Sequence, residues 1–131
     1  MNYLKASVTA IENIGNLNIV SFSSHHNTLK MMGLELETGI KVGTQVQLTF
    51  KATHVAIGKN ISGDLSFSNQ LQVSIHSIDR GELLCVLGLK LEDIYFESVI
   101  TADSAKRMHL QKGDVVFALI KSSDLSIAEV L

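Results

Sequence analysis

Apolar and polar side chains alternate with a period of two along several stretches of this chain. Residues 4–8 place leucine, alanine and valine at every second position, and residues 71–75 repeat this order with leucine, valine and isoleucine. Because successive side chains of a strand point to opposite faces, both stretches are predicted to be half-buried β-strands. Residues 46–50 alternate in the same way, whereas residues 115–120 are apolar throughout, which is typical of a strand buried on both faces.

Turn-forming segments follow the first two of these strands and predict hairpins. Residues 13–15 and 79–81 each combine Asn or Asp with a glycine two positions later, a composition that favours tight turns. The apolar stretches that come next, residues 17–22 and 83–87, predict the second strand of each hairpin. Residues 94–100 predict a further strand. The pattern therefore indicates an all-β protein.

The order of these elements is repeated along the chain. Two segments of the first half match two segments of the second half, at offsets of 67 and 70 residues: 2–12 with 69–79, and 43–57 with 113–127. The three-residue difference between the offsets fits a change of loop length. The repeat predicts two modules, residues 1–60 and 61–131, joined through the glycine- and serine-containing stretch 58–68.

Composition narrows the class of protein. The chain has 131 residues, of which 46% are hydrophobic and 18% charged, so part of its apolar surface is expected to be buried between modules or subunits. No apolar run approaches the ~20 residues of a membrane helix, and the first residues lack the layout of a secretory signal. The single cysteine, Cys85, excludes an intrachain disulfide. We expect a soluble cytoplasmic protein with no membrane partner.

Hydroxyl residues open a short helix predicted after residue 100. Thr101 and Ser104 stand where backbone N–H groups have no partner within the helix. Thr101 is an obvious helix cap, and Asp103 favours that structural interpretation because its carboxylate already complements the helix dipole. The same hydroxyl groups are also suitable donors for a small oxyanion.

A lysine followed by small or hydroxyl residues ends the late strand of each repeat. Lys121 and Ser122 follow residues 115–120, and Lys51 and Ala52 occupy the same positions of the first repeat. Each lysine alone is most simply a solvated side chain at a strand end. A fully deprotonated tetrahedral dianion can only accept hydrogen bonds, however, so its site needs N–H, O–H and ammonium donors. The recurrence of these residues therefore favours an oxyanion site.

Neither an enzyme nor a metal site is predicted. The histidines are scattered, and no Ser/His/Asp set recurs in the two repeats, so no catalytic constellation is found. His25 and His26 fall in a predicted hairpin loop without carboxylates or cysteines at ligand spacing, which favours a solvated loop over direct coordination of a metal.

Four segments of the chain resemble the molybdate-binding Mop module, also called molbindin or the TOBE domain; they are residues 66–71, 100–105, 110–113 and 116–123. The resemblance implies two OB-like five-stranded barrel modules in tandem, each with a short helix. It also implies a ring-like homo-oligomer, with a trimer favoured, that holds molybdate or tungstate at the interfaces between modules.

The resemblance further implies which residues bind the anion. The implied binding residues are Thr101, Ala102, Ser104, Lys121 and Ser122 of repeat two, Ser66, Ser68 and Asn69 from a neighbouring module, and Lys51 and Ala52 of repeat one. Ser68 stands where the family often has arginine, which removes a charged donor. The offset of 70 also places Met31 and Leu34 opposite Thr101 and Ser104. We therefore expect unequal sites, with the better one in repeat two.

Three functions follow from these observations. The first is a cytoplasmic molybdate- or tungstate-binding protein for storage, buffering or homeostasis. The alternative is an oligomerising regulatory module that acts in trans with a molybdate transporter ATPase or a molybdate-responsive transcription regulator. A nucleic-acid-binding OB protein is disfavoured, because the formal net charge is −2 and the chain has only two tyrosines and five phenylalanines.

Overall fold

The computed structural model describes residues 1–131, which form ten strands, one α-helix and two single-turn 3₁₀ helices. In chain order the elements are β1 (Asn2–Ile14), β2 (Leu17–Ser24), β3 (Asn27–Leu34), β4 (Gln45–Phe50), the first 3₁₀ turn (Ala52–His54), β5 (Ala56–Gly58), β6 (Asn69–Arg80), β7 (Leu84–Leu91), β8 (Ile94–Thr101), α1 (Ala102–Arg107), β9 (Val115–Ile120), the second 3₁₀ turn (Ser122–Asp124) and β10 (Ser126–Val130). No helix has the length and apolar character needed to span a bilayer.

The strands form two antiparallel five-stranded sheets with equivalent topology. The strand order is β10-β4-β1-β2-β3 in the first sheet and β5-β9-β6-β7-β8 in the second. Each long first strand carries a β-bulge, between Val8 and Ala10 in β1 and between Ile75 and Ser77 in β6. Bulges bend a strand and increase its twist, so each sheet curls around its own apolar face. The predicted all-β class with two five-stranded OB-like modules is confirmed.

The two sheets exchange their last strands. β5 comes from the first repeat but pairs with β9, where Ile57 lies opposite Ala118. β10 comes from the second repeat but pairs with β4, where Ile127 lies opposite Leu48. The division into residues 1–60 and 61–131 stays a prediction. The exchange means that each sheet contains a strand from the other side of that boundary.

Two buried asparagines reinforce this connection. The side-chain amide of Asn69 donates to the carbonyl oxygen of Lys30 (3.0 Å) and accepts from the backbone N–H of Lys30 (2.7 Å). Asn2, which corresponds to Asn69 in the repeat, makes the same pair of hydrogen bonds with the backbone of Glu97 (2.8 and 2.9 Å). Since β3 and β8 are edge strands, each amide covers an open sheet edge of the other module.

One apolar core extends through both modules. Twenty-five buried residues from both sheets form a single cluster, and the ring of Phe50 at the end of β4 packs edge-on against Phe96 of β8, 5.5 Å between centroids. Cys85 is a buried member of this core, and burial raises the pKa of its thiol. The modules therefore share the packing that stabilises them.

Only the second module contains the short helix that was predicted for both. β3 and β8 are related by the offset of 67, so Leu34 corresponds to Thr101, and the prediction that Met31 and Leu34 stand opposite Thr101 and Ser104 is wrong. Ten residues connect β3 to β4, whereas 13 connect β8 to β9. The three additional residues accommodate α1, and Met31 is instead a buried residue within β3.

A glycine turn precedes the fourth strand of each module. Gly43 and Gly113 have φ angles of 95° and 94°, in the left-handed region that favours glycine. In the second module, the Asp114 carboxylate accepts a hydrogen bond from the backbone N–H of Gln111 (2.9 Å) and lies 3.3 Å from Lys59 Nζ. The hydrogen bond from Gln111, aided by the charge of Lys59, lowers the pKa of Asp114 against the opposing effect of burial.

Low pH is expected to weaken the contacts of Asp114 with Gln111 and Lys59 by protonating its carboxylate. Because the folded-state pKa of Asp114 is depressed, its carboxylate stabilises the fold above its ordinary pKa of 3.8, and this contribution is lost as the pH falls through the lower folded value. We expect Asp114→Asn to lower the midpoint of thermal unfolding at pH 7 and to flatten its decline between about pH 5 and pH 2. Asp64→Asn, in the exposed loop after β5, should keep the wild-type profile. An unchanged pH profile in Asp114→Asn would contradict this assignment.

Candidate functional site

The start of α1 is the best-defined polar site among the predicted residues. Thr101 is the N-cap, as predicted, and its Oγ1 accepts a hydrogen bond from the backbone N–H of Ser104 (3.1 Å). Thr101 Oγ1 also donates to Ser104 Oγ, 2.9 Å away. The two hydroxyls share one hydrogen bond, so one hydroxyl proton of the pair is free to donate outward.

A cation that was not among the predicted site residues touches this pair. Arg107 Nη2 donates to Ser104 Oγ at 3.1 Å, one helical turn along α1. Arg107 Nε also lies 3.9 Å from the carboxylate of Asp103, but that side chain is 90% exposed. The spacing of three residues between Ser104 and Arg107 on a helix is the signal that could have identified this cation from the sequence.

A cavity of about 520 Å³ opens beside Ser104 and Arg107, between α1 and the exchanged strand β5. Its walls are mostly apolar, and no carboxylate residue lines it. Lys59 also lines this cavity, but its ammonium group donates to the carbonyl oxygens of Met108 and His109, both at 3.1 Å. Arg107 and the free hydroxyl proton are therefore the donors that remain for a ligand.

The corresponding cavity of the first module has a different lining. It measures about 280 Å³ and lies between the end of β3 and β10. Glu35 and Glu37 line it, together with Ser123 and Ser126. Two carboxylates disfavour a dianion by charge repulsion. This difference supports the expectation of unequal sites, with the better one in the second module.

The two lysine-containing turns lie side by side. Lys51 and Lys121 each precede a 3₁₀ turn in an extended conformation. Their backbone carbonyl oxygens accept from His54 and Asp124, whereas their ammonium groups are exposed and make no hydrogen bond or ion pair within the chain. His54 of the first turn and Asp124 of the second are 3.6 Å apart (Nδ1 to Oδ1). The structure thus brings Ala52 and Ser122 into the same region.

The strand exchange changes which turn accompanies α1 within one chain. The first 3₁₀ turn, after Lys51, packs against β8, which leads into Thr101 and Ala102. The second 3₁₀ turn, which contains Ser122 and follows Lys121, packs against β3 of the first module. Within one chain, the turn that follows Lys121 therefore lies at the first module and not at Thr101 and Ser104. A site that combines the three residues stays a prediction, and it requires a second chain.

The segment that leads into β6 and the first residue of that strand differ in exposure. The side chains of Ser66 and Ser68 are exposed and make no hydrogen bond within the chain. Asn69 is fully buried, and its amide is committed to Lys30. Ser66 and Ser68 are thus accessible to a neighbouring subunit, whereas the amide of Asn69 holds the two modules together.

Comparison with known proteins places these features in context. Residues 65–127 match the family model of the TOBE domain. The cytoplasmic molybdate-binding protein ModG, in a crystal form with molybdate bound, has the same fold, with a TM-score of 0.89 and 23% identity over 96% of this chain and 94% of that chain.

A molybdate-binding protein from Sporomusa ovata corresponds to about half of the chain. Its TM-score is 0.50 and its sequence identity is 24%, over 51% of this chain and 100% of that chain. No curated protein matches at the level of sequence. The likeness to these structures establishes a fold built from two copies of a small module.

Proposed function

We propose that the protein binds molybdate or tungstate and stores or buffers the anion in the cytoplasm. The match of residues 65–127 to the family model of the TOBE domain supports this proposal. The observation that carries the proposal is the Thr101–Ser104–Arg107 group, in which one hydroxyl proton and one guanidinium face a cavity without carboxylates. The shared fold with ModG, which is a molybdate-binding protein, supports the same ligand class. We propose no catalytic activity for this protein.

The chemistry of these donors suits a tetrahedral metal oxide. Molybdate is a dianion whose four oxygens accept hydrogen bonds and donate none, so hydroxyl, amide N–H and cationic donors bind it without a competing acceptor. We propose that the hydroxyl pair of Thr101 and Ser104 supplies the free hydroxyl donor. The backbone N–H of Ala102, a residue that the resemblance implied as a ligand, instead donates to the carbonyl oxygen of Leu83 (2.8 Å). Lys51 and Lys121 are exposed and unpaired, and each can add a charge where its turn meets a neighbouring module.

Apolar surface supports the proposal of a homo-oligomer. The β1–β2 hairpin exposes Ile14 and Leu17, and the β6–β7 hairpin exposes Leu83 and Leu84, with Ile14 and Leu83 more than 80% accessible. Apolar groups at equivalent ends of both modules are costly to leave in water and favour association. We propose a trimer that brings Lys121 and Ser122 of one subunit to the α1 segment of another, and the mass of the protein in solution tests it.

Ser104→Ala tests the proposed site. We expect this variant to weaken molybdate binding about tenfold, because it removes a charge-assisted hydroxyl donor while Thr101 still caps the helix. Isothermal titration calorimetry of the purified oligomer measures the change, with tungstate and sulfate titrated in parallel.

The matched control is Ser23→Ala, which removes an exposed hydroxyl from β2 in the first module and should leave the affinity unchanged. Equal affinities for wild type and Ser104→Ala would exclude Ser104 as a ligand. Absence of both heat and thermal stabilisation with molybdate in the wild-type protein would refute the proposed function itself.

A further inference from the structure

Two hairpin turns with complementary chemistry meet at the contact between the modules. The β2–β3 turn presents His25 and His26, and the β7–β8 turn presents Glu92 and Asp93. The two turns are equivalent in the repeat, at the offset of 67, so the pseudo-symmetry of the fold places them together. His26 Nδ1 lies 2.7 Å from Glu92 Oε1, which joins the two turns directly.

Three ligand atoms converge in this region. One nitrogen of His25 and one carboxylate oxygen each of Glu92 and Asp93 lie within 4.8 Å of one another. Imidazole and carboxylate groups are ligands that Zn²⁺ and other divalent first-row metals accept. We propose that His25, Glu92 and Asp93 form a binding site for a divalent transition-metal ion, with solvent completing the coordination.

The required movement is small. Donor atoms bonded to Zn²⁺ at about 2.1 Å in a tetrahedron lie about 3.4 Å from each other. The three atoms lie within 4.8 Å of one another, so each pair needs to approach by at most about 1.4 Å. Glu92 and Asp93 are exposed, and rotation of their side chains supplies this approach without a change of the backbone.

The hydrogen bonds of His25 hold its ring in the form that a metal requires. Ser24 Oγ donates its proton to the carbonyl oxygen of Lys5 at 2.6 Å and therefore meets His25 Nδ1, 2.9 Å away, as an acceptor. Nδ1 of His25 then carries the ring proton, and Nε2 keeps its lone pair. A histidine ligand oriented by a hydrogen bond from its other nitrogen is the usual arrangement at metal sites.

The surroundings leave space for solvent ligands. A cavity of about 320 Å³ adjoins His25 and Asp93, and Gln47 lines it as a neutral polar group. Lys5 is the only lysine or arginine in its lining, so two carboxylates outnumber one cation around the proposed site. His26 is bonded to Glu92 and orients that carboxylate, which leaves the second oxygen of Glu92 for the metal.

The sites proposed for the oxyanion and for the metal share no residue. Zinc binding is therefore measured in protein freed of metal and without molybdate, so that failure of one proposal is distinguishable from failure of the other. In calorimetric titration with Zn²⁺ we expect one ion per chain. We also expect a rise in the midpoint of thermal unfolding, because the ligands come from both sheets and the ion ties them together.

The test variants are chosen to preserve the backbone. His25 has a φ angle of 48°, a conformation that asparagine adopts readily, so His25→Asn removes the ligand without disturbing the turn. Asp93→Asn keeps the shape of the side chain and removes its charge. Each variant should weaken Zn²⁺ binding at least about tenfold. His76→Gln, at an exposed histidine of β6, is the matched control and should bind Zn²⁺ as the wild type does.

The absorption spectrum of bound Co²⁺ tests the identity of the ligands independently of affinity. Co²⁺ bound to the wild-type protein should show visible absorption bands that change in His25→Asn and persist in His76→Gln. The proposal is overturned if no ion binds with a stoichiometry of one per chain. It is equally overturned if His25→Asn and Asp93→Asn, folded by circular dichroism, keep the wild-type affinity for Zn²⁺.

Discussion

A chain that ends at Asp124 is expected to lose cooperative folding. The deletion removes Leu125, which is 2% exposed in the common core, and the whole of β10. Burial of one leucine contributes up to about 3 kcal/mol, and the pairing and packing of five strand residues add to it. The total of about 5 kcal/mol or more is comparable with the entire stability of a small protein. Unfolding in urea, followed by circular dichroism, measures the loss.

The size of this effect follows from where β10 lies. β10 belongs to the second repeat by sequence, but it covers the edge of β4 in the first sheet. Its removal exposes the backbone groups of β4 next to Leu48 and leaves an unpaired, apolar edge strand. The deletion at the end of the second module therefore damages the first module.

A shorter deletion is the control. A chain that lacks only Leu131 loses a half-exposed side chain and one backbone hydrogen bond to Gln45 (2.8 Å), and should be destabilised by about 1 kcal/mol or less. If the chain that ends at Asp124 unfolds cooperatively and at the same urea concentration as the wild type, then β10 does not stabilise the first sheet.

Most of the individual strands could be predicted from the sequence because their signals are local. Alternation over residues 4–8 and 71–75 fixes the face that is buried, and Gly43 and Gly113 mark turns that only glycine readily adopts. The strand exchange could not be predicted in this way. Since β5 and β10 occupy the same position in the two repeats, either strand satisfies the pattern of either sheet. The pairing of β5 with β9 and of β10 with β4 is therefore seen only in the structure.

The candidate metal site was missed for a related reason. His25 has no carboxylate at ligand spacing along the sequence, because Glu92 and Asp93 follow about 67 residues later. The repeat itself was the available signal, since its offset places these two turns at equivalent positions. What the repeat alone does not supply is the relative position of the two modules, which depends on the exchanged strands.

The role of Asn69 also depends on the relation between the modules. The resemblance to the Mop module implied that Asn69 is a ligand, whereas in the structure its amide pairs with the backbone of Lys30, at the open edge of β3. A strand edge needs partners that accept and donate at fixed spacing, and a carboxamide supplies both from one side chain. Asn2 makes the symmetric contact with Glu97. The two amides therefore act as short extensions of the sheets across the contact between modules.

Asn69→Ala is accordingly expected to lower the free energy of unfolding by about 3 kcal/mol, because it leaves the N–H and carbonyl of Lys30 without partners next to a small cavity. Asn2→Ala should act in the same direction but less strongly, since Asn2 is slightly exposed near the start of the chain. Gln70→Ala is the matched control, because the amide of this exposed neighbour contacts only the carbonyl of Phe67, and its effect should stay within about 0.5 kcal/mol. Chemical denaturation of the three variants measures the free energy of unfolding of each and so tests the expected order of the losses. A cost for Asn69→Ala no larger than that for Gln70→Ala would show that the amide of Asn69 does not stabilise the contact between the modules.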